Sequence, residues 1–179
     1  MKHHIEILRH LQNNGSVSGR DLARQLGISV SAVDNCVRAL RDWEFGISDL
    51  SGTGYQLTES LQFVDENRLR EELRSKGLLN EDRLEVLGEV DSTSERLLEW
   101  PDRDILHGRI CVAEFQSQGR GRRGRAWLGV PCRNIMLSMA WKMDRTAKRV
   151  GGLSLSVGLT LLQRLQTFGA ECLQLKWPN

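Results

Sequence analysis

Apolar positions recur with helical spacing in three separate stretches near the N-terminus. They are Ile5, Leu8 and Leu11, then Leu22, Ala23 and Leu26, then Ala32, Val33, Val37 and Leu40. Asn13-Asn14-Gly15 ends the first predicted helix, and Gly27 ends the second. Ser18 and Ser29 stand where N-caps are expected, so the pattern predicts helix, helix, short turn, helix.

The pattern changes after Trp43, where two short extended runs flank Gly52-Thr53-Gly54 and predict a β-hairpin. Three helices followed by a hairpin predict a winged helix-turn-helix DNA-binding domain over residues 1–62. The outward positions of its third helix are the candidate DNA-binding residues: Ser29, Ser31, Asn35, Arg38 and Arg41. Asn35 suits an adenine edge and the arginines suit phosphates, whereas Asp34 suits phosphates poorly.

Strand-like and helical patterns alternate in the remainder, which we assign to a second domain over residues 67–179. Residues 58–67 link the two domains, and a helix is predicted over 67–75. Strands are predicted at Glu85–Val90, Arg109–Phe115, Asn134–Trp141 and Cys172–Trp177. Asp91-Ser92-Thr93-Ser94 caps a further helix, a long apolar helix covers Leu153–Phe168, and Trp141 is interpreted as a core aromatic. The fold class is therefore α+β, with a mixed sheet and helices behind the winged helix.

Composition excludes several classes of protein. Forty per cent of residues are hydrophobic and 27% are charged, which is typical of a globular chain. No apolar run approaches the length of a membrane span, and no secretory signal pattern is present, so we expect a cytoplasmic protein without a membrane partner. The four cysteines show no CxxC spacing, and we expect reduced thiols and no protein-built metal site.

The most distinctive stretch is the loop Gly119–Arg125, which holds four arginines among three glycines. Glycines let the backbone approach a ligand closely, and guanidinium groups match phosphate or carboxylate oxygens. The loop is not a Walker loop, because no Gly-Lys-Ser/Thr follows it. An RNA-binding Arg/Gly tract and a solvated basic loop without a role remain as alternatives on composition alone.

Three motifs in a fixed order resemble those of bifunctional biotin–protein ligases that also repress the biotin operon. Gln116 to Trp127 resembles the family's adenylate-binding loop, and Asp91-Ser92-Thr93 resembles its Asp-Ser-Thr element. Lys176-Trp177-Pro178-Asn179 resembles the start of its Lys-Trp-Pro-Asn-Asp motif. The resemblance covers essentially the whole chain and implies an incomplete biotin/lipoate-ligase-like sheet behind the winged helix.

The resemblance also implies a function. Such enzymes form biotinyl-5′-AMP from biotin and ATP with Mg²⁺, then biotinylate a lysine of a carrier protein, the carrier subunit of acetyl-CoA carboxylase. With biotinyl-AMP bound, the full-length form is expected to dimerise and bind operator DNA. Carried over by matching motif, the implied biotin-binding residues are Ser92, Thr93, Ser94, Gln116, Arg120, Gly121 and Arg122. The implied nucleotide-binding residues are Gly119, Arg120, Arg122, Arg123, Gly124, Arg125, Trp127 and Asn179, and the implied catalytic residues are Arg122 and Lys176.

The sequence departs from the family pattern at two positions. Ser94 stands where the family usually has Asn, and the Asp that should follow Asn179 is absent. The rest of the catalytic sheet and a small C-terminal β-domain are absent too, so we expect little ligase activity from these residues alone. The alternatives are a winged-helix regulator whose second domain only senses a small molecule, and a lipoate ligase.

Overall fold

The computed structural model describes residues 3–50, 54–78, 83–101, 106–143 and 152–176. The chain divides into two compact units, Met1–Trp141 and Lys142–Asn179, which are described separately. Both the winged helix and the mixed sheet lie within the first unit.

The N-terminal part is a winged helix, as predicted. Its helices are α1 (His4–Asn14), α2 (Gly19–Leu26) and α3 (Val30–Asp42). Its strands are β1 (Ser16–Val17), β2 (Ile47–Leu50) and β3 (Gly54–Leu57), in the antiparallel order β1-β3-β2. The Ser18 and Ser29 side chains accept hydrogen bonds from the backbone of Asp21 and Ala32, so both predicted N-caps are confirmed.

The predicted helical faces form the core of this part. Side chains from all three helices, joined by Phe45 and Ile47, make one buried apolar cluster. Gly54 begins β3 with φ +118°, and a Cβ there would lie 2.2 Å from the Val17 carbonyl oxygen. Only glycine lets β3 approach β1 this closely.

A second sheet follows α4 (Glu66–Ser75) and contains β4 (Leu84–Val90), β5 (Ile110–Gln116) and β6 (Met136–Met139), with α5 (Thr93–Leu98) between its first two strands. Strand β4 is parallel to β5, and β6 is antiparallel to β5, so the predicted mixed sheet is confirmed. Strand β6 is shorter than the predicted Asn134–Trp141. Leu137 and Met139 of β6, and Ile135 just before it, are exposed, whereas Met136 is buried.

The segment that connects the winged helix to α4 is hydrogen-bonded to α1 of the winged helix and to β5 of the second sheet. The Gln12 carboxamide donates to the Leu61 carbonyl at 2.9 Å and accepts from the Leu61 N–H at 2.7 Å. Three residues further on, the Val64 N–H donates to Glu114 Oε1 in β5. The predicted linker therefore runs as an anchored strap over residues 61–64.

Aromatic packing joins α1 and α3 to β5. The Trp43 and Phe115 ring centroids lie 5.0 Å apart, and His4 packs against both rings. The imidazole lies 3.5 Å from the Glu89 carboxylate, and both side chains are buried. The winged helix thus packs directly on the sheet within the first unit.

The second unit contains α6 (Leu153–Gln166), close to the predicted long helix. Residues 172–176 form turn and irregular backbone, so the predicted strand Cys172–Trp177 is wrong over that range, and Trp177 lies outside the described residues. Apolar composition alone does not make a strand, because a strand needs a hydrogen-bonding neighbour. Trp141, predicted to be a core residue, is exposed and contacts the ring of His107.

Among the described residues, no helix has the length and apolar character needed to cross a membrane.

Candidate ligand-binding site

The C-terminal ends of β4 and β5 meet at one edge of the sheet because the two strands are parallel. After β4 the chain turns through Asp91 and Ser92 into α5, and β5 ends at Gln116. The backbone N–H and the hydroxyl of Thr93 both donate to Gln116 Oε1, at 2.7 and 2.9 Å. Thr93 and Gln116, separated by 23 residues in sequence, therefore form one hydrogen-bonded unit.

A cavity of about 160 Å³ opens above this pair. Its lining is mostly polar on the α5 side and apolar on the β6 side: Ser92, Thr93, Ser94, Gln116, Arg120, Trp127, Ile135, Met136, Leu137 and Ser138. The structure thus brings five of the predicted biotin-binding residues together with Trp127. Gly121 is adjacent in the loop, and nothing is described of the Arg122 side chain.

Met136 and Ser138 line the cavity, and sequence reasoning missed them. The Ser138 hydroxyl lies 2.8 Å from Thr93 Oγ1, and the Met136 sulfur lies 3.5 Å from Gln116 Nε2. The available signal was the strand period of two, which places 136 and 138 on the face opposite Ile135 and Leu137. Ile135 and Leu137 also line the cavity, but they are more exposed than Met136.

The loop Gly119–Arg125 is closed by its own backbone. Trp127 N–H donates to the Gly119 carbonyl and Gly121 N–H to the Arg125 carbonyl, each at 2.7 Å. Its tip is a short 3₁₀ turn, Arg122–Gly124, in which Arg123 and Gly124 take positive φ. The loop therefore has a defined stem, and Arg123 and Arg125 extend from it as exposed side chains.

The stem of the loop is fixed to the end of β4. Ser117 Oγ donates to the Asp91 carboxylate at 2.8 Å, and the Gln118 N–H donates to the Asp91 carbonyl at 2.9 Å. Asp91, the first residue of the Asp-Ser-Thr element, therefore positions the loop from outside the cavity lining.

Two predicted residues are not placed with this group. Lys176 belongs to the second unit, and Asn179 lies outside the described residues. Among the described residues, no three His, Cys, Asp or Glu side chains are grouped as a metal site would require.

The predicted DNA-binding residues lie on α3 or just before it. Ser29, Ser31, Asn35 and Arg38 are exposed, and Asn35 accepts from Arg38 at 3.3 Å. Arg41 differs from the others, because its Nε donates to the Ile47 carbonyl and its terminal nitrogen pairs with Asp49 at 3.0 Å. Arg41 therefore binds α3 to β2 within the protein.

Asp34, which sits poorly against phosphate, is held by Tyr55 of β3. The Tyr55 hydroxyl donates to Asp34 Oδ1 at 2.7 Å. Burial, followed by the hydrogen bond to Asp34, raises the pKa of Tyr55 from 10.0 to about 12. The neutral phenol is therefore the form that the folded winged helix favours.

This linkage predicts a stability change at high pH. A raised folded-state pKa means that the contribution of Tyr55 is intact below pH 10.0 and is lost as the pH rises towards about 12. Denaturant titrations of the chain and of Tyr55→Phe across this range should show a steeper fall in unfolding free energy for the unmodified chain. If the unfolding free energies of the two proteins fell in parallel with pH, the raised pKa of Tyr55 would be contradicted.

The described cysteines are free thiols. Burial raises the pKa of Cys36, Cys111 and Cys132, to about 11 for Cys111 and about 12 for Cys132. Thiols in this state are poor nucleophiles, so these three residues are structural.

The fold and site together define a winged-helix protein whose second sheet carries a polar cavity beside an arginine- and glycine-rich loop. Residues 2–42 match the family model for winged helix-turn-helix DNA-binding domains, and residues 87–179 match that of the biotin/lipoate A/B protein ligase family. The chain belongs to the biotin/lipoate A/B protein ligase family, which confirms the resemblance found in the sequence.

Curated relatives are similar to most of this chain. The chain is 37% identical over 164 residues to the bifunctional ligase/repressor BirA of Salmonella typhimurium, covering 90% of this chain and 48% of the relative. It is 34% identical over 177 residues to the protein of the same name from Escherichia coli, covering 98% and 52%. A biotin--[acetyl-CoA-carboxylase] ligase of Mycobacterium tuberculosis is 34% identical over 122 residues, covering 65% and 45%. The chain spans about half the length of these relatives.

Proposed function

We propose that the chain acts as the biotin- and nucleotide-binding part of a biotin–protein ligase that also binds operator DNA. The observation that carries this proposal is the cavity over Thr93 and Gln116, placed beside the stem of the loop Gly119–Arg125. In the full reaction, the biotin carboxylate attacks the α-phosphorus of ATP and pyrophosphate leaves. A carrier lysine then attacks the acyl carbon of biotinyl-5′-AMP, and AMP leaves.

The cavity chemistry suits biotin. A ureido ring presents two N–H donors and one carbonyl acceptor, and the hydroxyls of Ser92, Ser94 and Ser138 with the Gln116 amide supply the complementary groups. Met136 and Trp127 supply apolar contacts for the carbon chain. The Arg120 guanidinium is placed to receive a carboxylate or, after activation, a phosphate.

The loop suits the nucleotide. Gly119 and Gly124 allow close backbone approach, while Arg122, Arg123 and Arg125 provide charge for the phosphates as negative charge develops on them. We assign Arg122 and Lys176 as the catalytic groups, and Trp127 and Asn179 to the nucleotide. Mg²⁺ would enter with ATP, held mainly by phosphate oxygens, which suits an ion that keeps few protein ligands.

The two parts of the chain then have separate partners. Residues 1–62 form the DNA-binding domain, which binds operator DNA through Ser29, Ser31, Asn35 and Arg38. Residues 67–179 form the ligase part, which acts on a biotin carboxyl-carrier protein. The protein works in the cytoplasm and as a homodimer when biotinyl-AMP is bound.

Isothermal titration of the chain with biotin, lipoate and a non-hydrolysable biotinyl-adenylate analogue tests the proposal. Biotin and the adenylate analogue should bind at one shared site, the adenylate more tightly, because its phosphate adds contacts with the loop that biotin lacks. Lipoate should not compete. A regulator that senses a different molecule would bind neither biotin ligand, and preferential lipoate binding would indicate a lipoate ligase.

A further inference from the structure

Arg120 is held at the cavity by a residue that the family motifs do not single out. Its Nη1 lies 3.2 Å from Glu95 Oε1 on α5. Within the described residues, Glu95 is the only side chain that forms an ion pair with this guanidinium. The rest of the donor edge of Arg120 is therefore open at the cavity whose lining includes this residue.

The neighbouring charges of α5 are already paired with one another. Arg96 donates to Glu85 at 2.8 Å and to Glu99 at 3.3 Å. The hydrogen bond to Glu85 is the main cause that raises the pKa of Arg96. Glu95 is thus the acidic side chain of α5 that pairs across to the loop.

We propose that Glu95 is a positioning residue for Arg120. It fixes one nitrogen of the guanidinium and leaves the other donors facing the anionic group of the ligand. A guanidinium held in this way loses less side-chain entropy on binding than a free one. The inference rests on the proposed function, because the anionic group is the carboxylate of biotin or the phosphate of its adenylate.

Loss of the Glu95 carboxylate is expected to have a small effect on affinity, and only for ligands that carry a negative charge. Both partners are largely exposed, at 64% for Arg120 and 43% for Glu95, so water screens the pair. Glu95→Ala should weaken biotin binding about two- to fivefold, the range that exposed ion pairs reach. Binding of biotinamide, which lacks the carboxylate, should not change.

Isothermal titration with biotin and with biotinamide tests the inference on the whole chain. Glu95→Gln, which keeps an oxygen acceptor for the guanidinium, should recover part of the biotin affinity. Glu99→Ala is the matched control, because it removes an exposed carboxylate that pairs with Arg96 on the same helix. It should bind both compounds as the unmodified chain does, and matched melting temperatures would show that all the variants fold.

Three results would overturn the assignment of Glu95. Tighter biotin binding by Glu95→Ala would show that Glu95 repels the ligand, and unchanged binding would show that it has no role. An equal loss for biotin and biotinamide would show a structural role. Failure of the unmodified chain to bind biotin would overturn the proposed function as well, so the two failures are distinct.

Discussion

Replacement of Gln116 with alanine is expected to weaken biotin binding about 5- to 150-fold, because a buried polar group that loses its partner costs about 1–3 kcal/mol. In the free protein, water entering the cavity can satisfy the Thr93 hydroxyl and N–H that now donate to Gln116. A bound ligand displaces that water. In the variant, the Thr93 N–H is then left without its partner, and the ligand loses the amide donor of Gln116.

Titration calorimetry with biotin measures this loss directly. Gln118→Ala is the control, because Gln118 is an exposed glutamine two residues further along the same chain segment, and its N–H bond to Asp91 survives the change. Equal biotin affinity for the two variants would show that Gln116 does not contribute to biotin binding.

The second large effect is on stability. Phe115→Ala should lower the free energy of unfolding by about 3–5 kcal/mol, the usual range for truncating a buried phenylalanine. Phe115 is 7% exposed and packs against Trp43 and His4, which belong to the winged helix. Its removal opens a void between the winged helix and the sheet as well as within the sheet.

Urea unfolding followed separately by tryptophan fluorescence and by far-ultraviolet circular dichroism measures this effect. In the unmodified chain, the fluorescence and circular dichroism signals should change in one coincident transition. Phe115→Ala should move this transition to a lower urea concentration or separate the transitions of the two signals. Phe168→Ala, an exposed phenylalanine in the second unit, should change little. A shift for Phe115→Ala no larger than that for Phe168→Ala would contradict the packing described here.

Local patterns were sufficient to predict most of the elements. Ser18, Gly27 and Ser29 act within a few residues of themselves, and their roles as caps and stop follow from side-chain and backbone chemistry alone. The strand Ile110–Gln116 was predicted as Arg109–Phe115. The helix after Ser92 was also predicted, although the Ser92 side chain makes no capping hydrogen bond.

Contacts between distant segments were beyond such reasoning. The Thr93–Gln116 pair follows from the parallel register of β4 and β5, and the Ser138 contact follows from which face of β6 turns towards α5. The alternation of Ile135, Leu137 and Met139 specified a strand but not its inner face. The partner of Arg120 likewise depends on how α5 approaches the loop, which no local pattern encodes.

The roles of Arg122 and Lys176 are carried over from the matching sequence motifs. Biotin and adenylate titrations are therefore the measurements on which the assignments in the loop depend.

The strap over residues 61–64 has a consequence for how this protein family can vary in length. Gln12 fixes Leu61 from the winged helix and Glu114 fixes Val64 from the sheet, so three peptide units must span a set distance. Most interdomain connections tolerate insertions, since a longer loop costs little entropy. Here one extra residue would break one of the two anchors, so we expect this segment to accept substitutions more readily than insertions.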